Sequence, residues 1–236
     1  MGDSFAVKVF ADGADLDAIL ALAEDPRIAG FTTNPTLMWK AGLTDYQDFA
    51  ERLLERITTH PISFEVFADD IDEMRRQAKL IASWGENVYV KIPVTTTTGE
   101  SMAPLVRELS EGGVKVNVTA LFTTAQVELL TAAVKDGAPS YLSVFAGRIA
   151  DAGIDPMPIM AKSVSIMLDA PRSELIWASP REILNVVQAD QVGCHIITMT
   201  HDLLAKLGSL GKDLDQFSLE TVQMFRRDAQ AAGFSL

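Results

Sequence analysis

Only one cysteine, Cys194, occurs in the 236 residues, so no disulfide can form within the chain. Histidine is nearly as scarce: there are three, His60 lies just ahead of a proline, and no spacing among them suits a catalytic zinc site. Positive charge is also thin. Twenty Lys and Arg face 32 Asp and Glu, a formal net charge of −12, which excludes the basic footprint that nucleic acid needs. A small anionic substrate would require its own local cluster of arginines. No run approaches the roughly 18 apolar residues of a membrane span. The opening MGDSFAVKVF has neither the basic region nor the long apolar core of a secretory signal. These absences predict a soluble cytoplasmic protein, in which Asn117-Val118-Thr119 matches the glycosylation pattern by accident and Asn34-Pro35-Thr36 fails it because of the proline. Both phosphate-cradling glycine motifs, Gly-x-Gly-x-x-Gly and Gly-x-x-x-x-Gly-Lys-Ser/Thr, are missing too. Gly208 and Gly211-Lys212 have the wrong spacing and mark a turn.

What is present is a large apolar fraction, 48%, spread evenly and ample for a core. Short apolar runs alternate with helical patterns from end to end, and no Pro/Gly/Ser-rich linker divides them, so the chain reads as one domain over 1–236. Strands are predicted near 6–11, 28–31, 62–67, 88–92, 114–118, 140–145, 174–178 and 194–198. Helices are predicted near 14–24, 45–58, 70–83, 101–111, 123–134, 156–169 and 181–188, with a short one near 201–207. An added C-terminal helix near 217–231 has Ser218 as its candidate N-cap and Leu219, Val222 and Phe225 on one side. Eight strands with intervening helices favour an α/β fold of the (β/α)₈ TIM-barrel type, with an open doubly wound sheet as the alternative.

The segment ENVYVKIPVT sharpens that reading. Val88, Val90 and Ile92 share one face of a strand, and Tyr89 and Lys91 share the other. If helices cover the apolar face, the lysine points into the barrel, where a charge is costly without partners. The same parity recurs. Asp12 of VKVFAD, Glu65 of ISFEVF, Asn117 and Thr119 of VKVNVT, and Ser143 of YLSVF all fall on the inward face, along with Lys8, Phe10, Ser63, Phe67, Lys115, Tyr141 and Phe145. A hydrophobic core gives no reason to choose those polar types near strand ends, where barrel enzymes keep their chemistry. Taken singly, Lys91 could be a structural ion pair with Glu65 or Asp12, and Asn117 or Thr119 could satisfy a loop carbonyl. The joint pattern is what points to a site.

Other features read as structure. Asp69-Asp70-Ile71-Asp72-Glu73 suits a helix N-terminus better than a metal site. Cys194 and His195 are adjacent on a strand and face opposite ways, which disfavours a nucleophile–base pair.

An amine desolvated among valines and aromatics is favoured in its neutral, nucleophilic form toward a carbonyl. Imine chemistry then needs an acid/base group, for which Glu65 is placed, and a base for a substrate hydroxyl, for which Asp12 is placed. A phosphate anchor would come from Arg148, after the sixth strand, and Arg181 beside Ser179, after the seventh.

In order along the chain, GFTTNPT, VYVKIPVT, NVTALF, SVFAGRIAD and ASPRE resemble the signature segments of the transaldolase family, specifically its short members, which include the fructose-6-phosphate aldolases. The resemblance covers residues 6 to about 230. It implies an imine-forming (class I) enzyme with no metal or organic cofactor, acting on small sugar phosphates in carbohydrate metabolism such as the pentose phosphate pathway. By the same resemblance, Lys91 is the imine-forming lysine, and Glu65 is the acid/base group working through a water positioned with Thr119. Asp12 is the acceptor of the C4 hydroxyl proton. Thr32, Asn34 and Asn117 bind substrate, with Asn34 and Asn117 on the dihydroxyacetone unit. Ser143 and Phe145 face the reacting end, and Arg148, Ser179 and Arg181 grip phosphate. It also implies a homo-oligomer, a pentamer or decamer, whose terminal helix crosses to a neighbour; the alternative is a helix that caps its own barrel. The chain departs from the family pattern at Gly13, where threonine is usual, at Thr36, where serine is common, and in ITMTHDLL, which lacks the usual proline. Transaldolase is the leading activity. Fructose-6-phosphate aldolase and a transaldolase with a sulfonated sugar donor remain open beside it.

Overall fold

The structure is a computed structural model that describes residues 5–234. Eight strands form a closed barrel in sequence order, with β8 returning to β1. They are β1 (Lys8–Asp12), β2 (Ile28–Thr32), β3 (Ile62–Glu65), β4 (Val88–Pro93), β5 (Val116–Leu121), β6 (Tyr141–Val144), β7 (Glu174–Trp177) and β8 (Ile196–Thr200). Every pairing is parallel, as helical crossovers require. The helices are α1 (Leu16–Ala23), α2 (Pro35–Lys40), α3 (Tyr46–Leu54), α4 (Ile71–Ala82), α5 (Ala103–Glu111), α6 (Thr124–Val134), α7 (Ala146–Asp151), α8 (Pro156–Met167), α9 (Leu184–Gln191), α10 (His201–Leu204) and α11 (Leu214–Ala231). The TIM barrel is thus the observed fold.

Two cores follow from the period of two. Val88, Val90 and Ile92 join the large core between strands and helices. Inside the barrel, Phe10, Tyr141, Ile176, Ala178 and Ile196 form a second one. There Tyr89 stacks on Tyr141 at 4.0 Å between centroids, and Phe10 meets Tyr141 edge-on at 5.7 Å. This aromatic plug fills the lower barrel, so the polar inward residues above it form a floor rather than a channel.

Several boundaries shift from the sequence expectation. β3 ends at Glu65, so Phe67 lies outside the barrel, 54% exposed, with its ring edge-on to Tyr46. Lys8 and Lys115 have the right parity but the wrong height. Lys8 donates to the Glu174 carboxylate at 2.8 Å and Lys115 to the Glu86 carbonyl at 2.6 Å. α2 and α7, six residues each, were not foreseen. The acidic run does open a helix, with Asp70 accepting from the Glu73 N–H at 2.9 Å. α11 starts earlier than expected, with Asp213 rather than Ser218 as N-cap. It buries none of its residues, and Val222 and Phe225 are 61% and 62% exposed, so it does not cap this barrel. Among the described residues no helix is long and apolar enough to cross a membrane.

Candidate active site

Register builds the site. Glu65 on β3, Lys91 on β4 and Asn117 on β5 are successive partners across the sheet. The Lys91 Nζ lies 3.0 Å from Glu65 Oε1, both side chains being about nine-tenths enclosed (11% and 9% exposed). A second acceptor for the ammonium is the Thr33 carbonyl. The other oxygen of Glu65, Oε2, accepts from the Thr33 hydroxyl at 2.8 Å and from the Tyr46 hydroxyl at 3.3 Å.

Asp12 closes β1 on the opposite wall. Its Oδ1 accepts from the Thr32 hydroxyl at 2.8 Å, which in turn receives the Thr198 hydroxyl of β8 at 2.6 Å. Its Oδ2 accepts from the Asn34 amide at 3.1 Å, while the Asn34 carbonyl oxygen caps α2 through the Leu37 N–H at 2.9 Å. Burial raises the Asp12 carboxyl above its ordinary value, and the Lys91 ammonium only partly opposes this. Asp12 is therefore suited to take up a proton.

Of the twelve side chains singled out by sequence, eleven line one cavity of about 400 Å³ at the C-terminal mouth of the barrel. The exception is Asn117, fully buried beneath it. Its amide donates to the Ser63 hydroxyl at 3.0 Å, and its carbonyl oxygen accepts from the Ser143 hydroxyl at 2.7 Å. Asn117 thus holds the floor on which Ser143 stands. Thr119 lines the cavity, and among the described residues its hydroxyl makes one hydrogen bond, a long 3.5 Å contact to the Ile92 carbonyl.

The cationic rim depends on a close backbone approach. A Cβ on Gly147 would lie 1.5 Å from the Ser179 carbonyl oxygen, so only glycine lets the start of α7 pack on the loop after β7. Ser179 itself has φ of 57°, unusual for a residue with a side chain. This contact brings Arg148 and Arg181 to one rim. The Arg148 guanidinium rests 5.3 Å from the centre of the Phe145 ring. Arg181 forms a two-point pair with Asp151, its Nε 3.1 Å from Oδ1.

Sequence reasoning missed Thr33 and Tyr46, which hold Glu65, and Thr198, which supports Asp12. Thr33 lay in plain sight in GFTTNPT; nothing in strand parity pointed to Tyr46 on α3. Cys194 is buried, its thiol pushed up to about 12 by burial, and His195 Nδ1 accepts from the Leu175 N–H at 3.0 Å, so the two form no nucleophile–base pair. Among the described residues no three His, Cys, Asp or Glu side chains are arranged to hold a metal ion.

Solved structures with similar folds include a protein described as a lyase or mutase from Burkholderia cenocepacia J2315, with a TM-score of 0.60 at 15% identity over 96% of this chain and 85% of that one. At such identity the likeness concerns the fold alone. Sequence relatives reach further. A "Probable transaldolase" of Streptococcus equi subsp. zooepidemicus is 37% identical over 202 residues, 85% of this chain and 90% of its own length. A "Probable transaldolase 2" of Listeria monocytogenes is 37% identical over 207 residues, 86% of this chain and 89% of its own length. The family profile described as Transaldolase/Fructose-6-phosphate aldolase matches residues 9–236. A barrel with an inward lysine paired to a glutamate, matched along nearly its whole length, belongs to the transaldolase/fructose-6-phosphate aldolase family.

Proposed function

We propose that this protein is a transaldolase, moving a dihydroxyacetone unit from a ketose phosphate, fructose 6-phosphate or sedoheptulose 7-phosphate, to an aldose phosphate through an imine on Lys91. The observation that carries this reading is the Lys91–Glu65 pair at 3.0 Å, facing Asp12 across one cavity. Glu65 takes the proton from the ammonium, and the freed amine adds to the ketone carbon. Returned to the carbinolamine oxygen, with a water held beside Thr119 as relay, that proton lets water leave and the iminium form. Asp12 then accepts the C4 hydroxyl proton while the C3–C4 bond breaks. Its electron pair flows to the iminium nitrogen, leaving an enamine and a free aldose phosphate. Attack of the enamine on a second aldehyde, with Asp12 returning its proton to the new alkoxide, reverses the sequence on the acceptor.

Arg148, Ser179 and Arg181 are the phosphate anchor in this reading, and Thr32, Asn34 and Ser143 orient the hydroxyls. Asn117 acts from below, through Ser143. Phe145 favours transfer over simple cleavage. A phenyl ring cannot organise a water to protonate the enamine, so the three-carbon unit waits for an acceptor. The acidic surface fits a small-molecule enzyme of the cytoplasm without nucleic-acid or membrane partners, and the apolar stripe of α11 fits a homo-oligomer.

The test is borohydride reduction with fructose 6-phosphate, followed by peptide mapping. A reduced three-carbon adduct should appear on Lys91 and vanish in Lys91→Arg. An adduct on Lys8 or Lys115, or none while turnover proceeds, overturns the assignment. Adding erythrose 4-phosphate should raise the rate of fructose 6-phosphate consumption. Free dihydroxyacetone formed faster than transfer would move the activity to an aldolase, and preference for a sulfonate over a phosphate would move it to the modified donor.

A further inference from the structure

Tyr46 opens α3, far from the strand positions that carry the chemistry, yet its hydroxyl sits against Glu65. It accepts the Glu65 backbone N–H at 2.6 Å and lies 3.3 Å from Glu65 Oε2. The ring is set edge-on by Phe67, Trp84 and Phe64, with centroids 4.7, 5.8 and 6.0 Å away. Burial, and then the charge of Glu65, pushes the phenol far above its ordinary value, so it keeps its proton. A phenol has one proton to give. Since the Glu65 N–H already occupies the oxygen as acceptor, that proton is directed at Oε2. The Thr33 hydroxyl reaches the same oxygen at 2.8 Å but divides its one proton between it and the Ser63 carbonyl at 2.9 Å, so Tyr46 is the donor committed to Oε2.

We infer that Tyr46 is a positioning residue for the acid/base step: its proton occupies Oε2 of Glu65, so that Oε1 is the oxygen that exchanges protons with Lys91 and the substrate. The inference rests on the imine reading above and adds to it which oxygen works and what holds it. Without Tyr46 the carboxylate can rotate, presenting either oxygen to the amine, and the geometry for proton transfer is kept only part of the time. The amide and the outer oxygen of Glu65 are tied to a single rigid ring.

Tyr46→Phe keeps the aromatic packing and removes only the hydroxyl. It should lower kcat by about 10- to 100-fold, the span one hydrogen bond to a charged group supplies, with KM changed less than about twofold. A purely structural role would predict the same loss whatever stands at position 65. We therefore expect Tyr46→Phe to add less than about a further twofold in a Glu65→Gln background. An equal loss in both backgrounds, or an unchanged kcat in the single variant, overturns the inference. Carbon-13 NMR of the labelled Glu65 carboxyl, assigned by its disappearance in Glu65→Gln, separates this from the function itself. If the unmodified enzyme traps no adduct on Lys91, the imine reading fails. The Tyr46 contact then stands or falls on whether the Glu65 resonance moves in Tyr46→Phe, an unmoved resonance overturning it.

Discussion

Asp12 carries its charge where burial opposes it, and that has a signature in stability as well as in catalysis. Its folded value is raised by desolvation, with the Lys91 ammonium pulling the other way. Well above the raised value, Asp12 is ionised in folded and unfolded chains alike, and the folded chain bears the cost of the buried charge. As pH falls from there toward the ordinary carboxylate value of 3.8, the folded chain takes up the proton first, and this group's contribution improves. Asn at position 12 does not titrate. Urea midpoints of the two proteins across that window should therefore converge on, or cross in favour of, the unmodified chain as pH is lowered. A constant difference would mean that Asp12 titrates normally. On the proposed mechanism, Asp12→Asn should also lower kcat by about 10²- to 10⁴-fold, measured by aldose release. Beside Asp12, Gly13 leaves room for the His201 ring, whose Nε2 stands 2.9 Å from where a Cβ would be. The absence of a side chain at position 13 and the placing of the His201 ring thus go together. Lys91, Glu65 and Asp12 were legible because a strand period of two sorts polar from apolar residues. Thr33 stood in GFTTNPT, but its role could not be read there, since its backbone carbonyl serves Lys91 as much as its side chain serves Glu65, and a carbonyl has no letter in the sequence.

At the scale of elements, the rim depends on how closely α7 approaches the loop after β7. Gly147→Ala would place a methyl within bonding distance of the Ser179 carbonyl, so the loop must yield. Overpacking of this kind costs about 1–3 kcal/mol. Moving Arg181 away from Arg148 should raise KM for phosphorylated donors several-fold, while unphosphorylated dihydroxyacetone still forms the Lys91 adduct. Equal loss for both substrates would tie the contact to folding instead of anion binding. Arg181→Ala should give the same discrimination without the strain. α2 and α7 escaped the sequence reading for different reasons. α2 carries a start signal, Asn34 as N-cap followed by Pro35, but its six residues are too few to show a period. α7 follows its N-cap Phe145 with no side-chain cap hydrogen bond at all, so the tertiary contact through Gly147 is what marks where it starts. The end of β5 bends where Ala120 adopts a φ of 62°, a choice that no propensity anticipates.

For the whole molecule, α11 stands out as an 18-residue helix that buries none of its residues among those described. Phe217, Leu219, Val222 and Phe225 are all more than two-fifths exposed, a stripe that water does not favour. The protein should sediment as several copies of the 25.6 kDa chain, and Val222→Asp with Phe225→Asp should shift it toward one copy. A monomeric unmodified chain would remove the homo-oligomer proposal.

Closure of the sheet between its first and last strands also sets an order in time. Lys91 and Glu65 lie on neighbouring strands that leave the ribosome one after the other, so their pairing needs only a local segment of the barrel. Asp12 leaves earlier still, but the threonine relay that holds it runs through Thr198, and β1 stays an open edge until β8 docks in register, Asp12 beside Thr200. Contacts between the ends of a chain are the slowest to form. On the proposed mechanism, the Lys91–Glu65 pair needs only neighbouring strands, whereas the setting of Asp12 needs the final one, so the proposed site is complete only once β8 has closed the barrel.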